Sequence, residues 1–143
     1  MSITMILEIS LGLVFGAALV LIARSRGPRD ESTVLAAGLV ATALLYVAFA
    51  VLGGATLRWS ALEFMGVLAF GALAWLGLRR SPPWLALGWA THVGWDVGLH
   101  LGAGAPPFVP AFFPTFCIGF DLVVAAYVLS RVYARRTSGS QAA

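Results

Sequence analysis

Five long apolar runs, separated by short links rich in Arg, Gly and Pro, constrain this chain more than any other feature. They cover about residues 3–23, 33–52, 59–78, 84–101 and 111–132. A helix needs about 20 apolar residues to cross a hydrocarbon core. Inside lipid a helix satisfies its own backbone donors and acceptors. The expected fold is therefore an all-α, polytopic membrane bundle of five transmembrane helices. It forms a single domain over 1–136, followed by a small polar tail at 137–143 expected to be disordered.

Composition supports this. The chain has 143 residues, of which 60% are hydrophobic and 10% charged, where soluble domains carry about 25% charged residues. A soluble fold of this size buries only part of its surface, so lipid must cover the remainder. The first charge is Glu8, inside the first run, with no basic segment before it. That run reads as a retained helix, not a cleaved signal. A single cysteine, Cys117, leaves no intramolecular disulfide and no thiolate-rich metal site.

All nine basic residues are arginines. With the N-terminus outside, Arg24, Arg26, Arg29, Arg79, Arg80, Arg131, Arg135 and Arg136 lie in cytoplasmic segments and only Arg58 lies outside. The positive-inside rule selects this N-out, C-in arrangement. Arginines at the ends of apolar runs explain the basic charge without nucleic acid, which is not expected as a partner. Arg without Lys, alongside abundant Ala and Gly, fits a GC-rich bacterial genome and places the chain in a bacterial inner (plasma) membrane.

Functional expectations rest on six ionisable residues inside the runs: Glu8, Glu63, His92, Asp96, His100 and Asp121. Charge at a bilayer centre is costly, so such groups normally face the interior with partners. At ~1.5 Å per residue all six fall in the outer half or near the midplane. That shared depth predicts a polar pocket opening outward. His92, Asp96 and His100, spaced by four, form one stripe on a regular helix. Gly94, Gly98 and Gly102 form a second stripe suited to close helix packing, as do Gly12 and Gly16 on the first helix. His92 and His100 lie about 12 Å apart along the axis, so one ion cannot take the whole stripe. His92 with Asp96, or Asp96 with His100, could chelate, with Asp121 and Glu63 completing the shell. Zn, Fe or Mn suits such a donor set. In the plainer reading Asp96 and His100 form an ion pair, Glu8 and Glu63 are hydrated near the surface, and Cys117 and the tryptophans only pack.

Between the last two runs, Pro106, Pro107, Pro110 and Pro114 alternate with Phe108, Phe112 and Phe113. Proline stops a helix ladder. The expectation is a stiff interfacial link, or a lid folded over the pocket.

The stretch Gly88-Trp89-x-x-His92-x-x-Trp95-Asp96-x-x-x-His100, followed by Val109-Pro110-x-x-x-Pro114-x-x-Cys117-x-x-x-Asp121, resembles a family of small bacterial integral membrane proteins of unknown function. The likeness covers the last two helices and extends toward the third. It implies that helices four and five act together, and it carries no activity.

Three functions remain open at this point. One is an enzyme or binding protein for an apolar or lipid-like ligand, with Asp96 and Asp121 as acid and base and His92 and His100 moving protons around a divalent metal. The second is a proton-coupled carrier, which would need a homo-oligomer to complete a path. The third is a structural or accessory subunit with internally paired charges.

Overall fold

The computed structural model describes residues 2–102 and 108–140, and every regular element among them is helical. The chain runs α1 (Ile3–Ser25), α2 (Pro28–Leu52), α3 (Leu57–Arg79) and α4 (Pro83–Trp95). α4 continues as a π-helical turn, Asp96–Gly102, and α5 (Phe113–Ser140) follows. Helix starts are set locally. Ser2 accepts from the Met5 N–H at 3.2 Å and Thr56 from the Trp59 N–H at 3.5 Å, each replacing a missing helix bond. Pro28 and Pro83 open α2 and α4, where the missing N–H costs nothing. Gly54, at φ +67°, makes the tight turn between α2 and α3.

Among the described residues, four helices are long and apolar enough to cross a membrane: Ile3–Ser25, Asp30–Leu52, Leu57–Arg79 and Phe113–Ala134. α4 reaches similar length only together with its π turn. α5 runs on to Ser140, through the first part of the stretch expected as a tail, while residues 141–143 lie outside the described residues.

Neighbours in sequence are neighbours in space. α1 packs on α2, α2 on α3, α3 on α4, α4 on α5, and α5 returns to α1, closing a ring. The closest crossing is α1 on α5. A Cβ on Gly12 or Gly119 would fall on the partner's backbone, at Phe116 and Ile9 respectively, and one on Gly16 would lie 2.6 Å from the Phe120 carbonyl oxygen. Small residues let these two backbones touch, as expected for Gly12 and Gly16. The other glycine stripe behaves differently. Gly94 and Gly98 are exposed with open space around them, and Gly102 meets only the backbone of its own turn. This corrects the packing role inferred for them. α4 turns its His/Asp side inward, and its glycine side meets no neighbouring helix among the described residues.

The outer surface is apolar, with Ile3, Leu7, Val14, Leu52, Leu57 and Met65 more than half exposed. The core pairs Leu35, Leu39 and Trp89 with Phe70, Leu85 and Val124. At the end bearing most arginines, Glu31 on α2 accepts from the Tyr127 hydroxyl at 2.8 Å and lies 3.6 Å from Arg131, tying α2 to α5.

Candidate functional site

Five of the six ionisable residues, all but Glu8, gather inside the ring, toward the end opposite most of the arginines. α4 supplies His92, the π turn begins with Asp96, and α5 supplies Asp121; all three are 0% exposed. His92 Nδ1 lies 2.8 Å from Asp121 Oδ2 and 3.5 Å from Asp96 Oδ2. One donor atom from each of the three lies within 4.8 Å of the others. Tyr46, midway along α2, donates to Asp96 Oδ1 at 2.6 Å. Cys117, one turn before Asp121 and buried, is close enough to interact with Tyr46 and both aspartates.

A second group adjoins the first. Glu63 on α3 is 1% exposed. It accepts from the Trp95 indole N–H at 3.2 Å and sits 3.3 Å from His100 Nε2. The His100 ring stacks on Tyr46 with centroids 4.4 Å apart. Tyr46 thus joins both groups, its hydroxyl on Asp96 and its ring on His100.

The π turn decides this division. In a π-helix the bonds run from i to i+5 and the chain winds wider than in an α-helix. His100 therefore falls short of a full turn beyond Asp96 and points at α3. The expected single stripe breaks after Asp96. The Asp96–His100 pair, as an ion pair or as a chelating unit, does not form; Asp96 turns to Tyr46 and His92, and His100 to Glu63. Glu8 stands apart from both groups, accepting from the Thr115 hydroxyl beside the α1–α5 crossing. It is not part of a common pocket.

Aromatic rings close the end of the bundle opposite most of the arginines. Phe108 is buried and packs on Trp59 and His100, with ring centroids 5.9 and 6.3 Å away. Phe113 packs edge-on against Tyr46 and Phe49. The segment after residue 107 therefore folds back over the bundle. Pro106 and Pro107 lie outside the described residues.

Sequence reasoning missed Tyr46 and gave Trp95 only a packing role. The available signal was a phenol alone in an apolar run, which needs a hydrogen-bond partner when buried.

Seven buried side-chain atoms among the described residues lack a hydrogen bond, and six belong to this site: His92 Nε2, Asp96 Oδ2, Asp121 Oδ1, Glu63 Oε1 and both His100 nitrogens. The seventh is Trp89 Nε1, in the core below. Glu63 and His100 are at ion-pair distance without the alignment of a hydrogen bond. Buried polar groups are rarely left so. Chemically, two carboxylates around one imidazole can share protons or hold a cation.

Residues 3–134 match DUF6010, a family of unknown function. The chain belongs to that family. The match takes in all five helices and every residue of the site. No curated protein matches this DUF6010 chain. No solved structure matches it.

Proposed function

We propose that this chain is a multi-pass protein of a bacterial inner membrane, N-terminus outside and C-terminus in the cytoplasm. Its buried His–carboxylate centre binds a lipid-like amphiphile from the outer leaflet and performs proton-transfer chemistry on the polar group. The observation that carries this reading is the meeting of Tyr46, Glu63, His92, Asp96, His100 and Asp121 from five elements, their side chains buried, with six polar atoms lacking partners. Such groups are expensive in a membrane and are kept for function. Asp96, Asp121, His92 and His100 are the residues assigned to the chemistry.

One surface groove supplies the entry route in this reading. A groove of about 360 Å³ is lined by Arg58, Trp59, Leu62 and Leu99. Leu62 and Leu99 precede Glu63 and His100 in the chain, so the groove runs along the wall behind which that pair lies. Arg58 is the one arginine on the outer side in this orientation. It suits an anionic headgroup, while the leucines suit an acyl chain.

A structural set of paired charges is the competing reading. Its support is that His92, Asp96, Asp121, Glu63 and His100 each have a partner. The partnerless atoms in the same cluster count against it, since a knot kept for stability gains by satisfying them.

Titration with a spin-labelled long-chain fatty acid and its neutral alcohol analogue, in nanodiscs, tests the proposal. Saturable binding of the acid, weakened about tenfold (~1.4 kcal/mol) by Arg58→Gln and blocked by Leu99→Trp, is expected. No saturable binding of either probe overturns it.

A further inference from the structure

His92, Asp96 and Asp121 have the geometry of a metal-binding set. A tetrahedral ion with bonds of about 2.1 Å keeps its ligand atoms about 3.4 Å apart. His92 Nδ1 and Asp96 Oδ2 stand at 3.5 Å. His92 Nδ1 and Asp121 Oδ2 stand at 2.8 Å, a hydrogen-bond length that opens by about half an ångström when an ion replaces the shared proton.

Charge points the same way. Two carboxylates and a neutral imidazole carry two negative charges at 0% exposure. A divalent cation cancels both, leaving no uncompensated charge on these three residues. Asp96 Oδ2 is an independent sign. It is fully buried, lies on the His92 side of its carboxyl group and has no hydrogen bond. Tyr46 holds the other oxygen, Oδ1, at 2.6 Å and so fixes the direction in which Oδ2 points. An outer hydroxyl steadying a ligating carboxylate is a common feature of metal sites.

We propose that His92 Nδ1, Asp96 and Asp121 bind one divalent first-row transition-metal ion, with Tyr46 orienting Asp96. Nitrogen and oxygen donors select Zn, Mn or Fe(II) over Cu(I). Three protein ligands leave a coordination position for water or for the polar group of a ligand. As the ion enters, the single ring proton of the neutral imidazole moves from Nδ1 to Nε2, so Nδ1 ligates through its lone pair and no net proton is released. Glu63 and His100 are not ligands in this assignment and stay beside the site as a separate pair. The proposal rests on the centre being a working site, but not on which amphiphile it serves.

The test uses full-length protein in detergent, stripped with chelator and offered Zn²⁺, Mn²⁺ or Fe²⁺ one at a time. Bound metal is counted after desalting, and Co²⁺ supplies a visible ligand-field spectrum. The expected result is about one ion per chain. His92→Gln and Asp121→Asn should weaken binding at least about tenfold, and Glu8→Gln, away from the site, should leave it unchanged. Metal should raise the unfolding temperature of the wild type. Fewer than about 0.1 ions per chain for every metal overturns the assignment, as does binding insensitive to both ligand variants. If those variants do not fold, the wild-type count and the Co²⁺ spectrum decide: an octahedral aquo-like spectrum overturns it. Amphiphile titration of the stripped protein runs separately. Binding of the fatty acid without any metal site would remove this inference and leave the ligand reading standing.

Discussion

Tyr46 donates a 2.6 Å hydrogen bond to Asp96 across fifty residues of chain. This bond fixes α2 against the junction where α4 becomes a π turn. It also positions the Tyr46 ring under His100, so one side chain organises both halves of the polar cluster.

Removing that hydroxyl has a defined cost. Tyr46→Phe leaves Asp96 Oδ1 buried with no donor, a loss of about 1–3 kcal/mol. Unfolding in mixed micelles with increasing SDS measures it. The double variant Tyr46→Phe/Asp96→Asn should cost less than the sum of the two, because both remove the same bond. Strict additivity would mean that the bond contributes nothing.

His92 Nδ1 faces two carboxylates, Asp121 at 2.8 Å and Asp96 at 3.5 Å. His92→Leu is expected to destabilise by about 3–5 kcal/mol, the range for breaking a buried charged pair from one side. Replacing His92, Asp96 and Asp121 together by leucine should recover much of that loss, since no charge then remains to be desolvated. The same unfolding assay compares the two. A triple variant less stable than His92→Leu would show that the cluster is net stabilising.

Gly119 and Gly94 predict opposite outcomes for the same change. A Cβ at Gly119 would overlap the Ile9 backbone, which cannot rotate away as a side chain could. Gly119→Ala should cost about 1–3 kcal/mol by overpacking. Gly94 has nothing within 4 Å, so Gly94→Ala should fall within about 0.5 kcal/mol of wild type. A damaging Gly94→Ala would reveal a neighbour beyond the described residues.

Orientation is tested with single cysteines in a Cys117→Ala background. Leu57→Cys, at the start of α3, should react with a membrane-impermeant maleimide on intact cells. Ser25→Cys, at the end of α1, should react only after permeabilisation. The reverse pattern would invert the arrangement drawn from the arginines.

Much of the fold was legible in sequence because helix length and apolarity are local properties. Length and apolarity located α1, α2, α3 and α5 to within a few residues, apart from the C-terminal extension of α5. The need to bury charge singled out His92, Asp96 and Asp121, and these do meet. Gly12 and Gly16 announced a close crossing, although not that α5 would fill it.

By itself, the sequence determined that this chain forms apolar helices and which side chains cannot tolerate lipid. Both are local properties of composition and period. Tertiary structure alone decided who partners whom. His100 left the His92–Asp96 stripe because the backbone widens into a π turn, a geometry that four-residue spacing does not encode. Tyr46 entered the site because closing the ring of helices brought α2 against that turn, and only a three-dimensional neighbour could supply the acceptor its hydroxyl required.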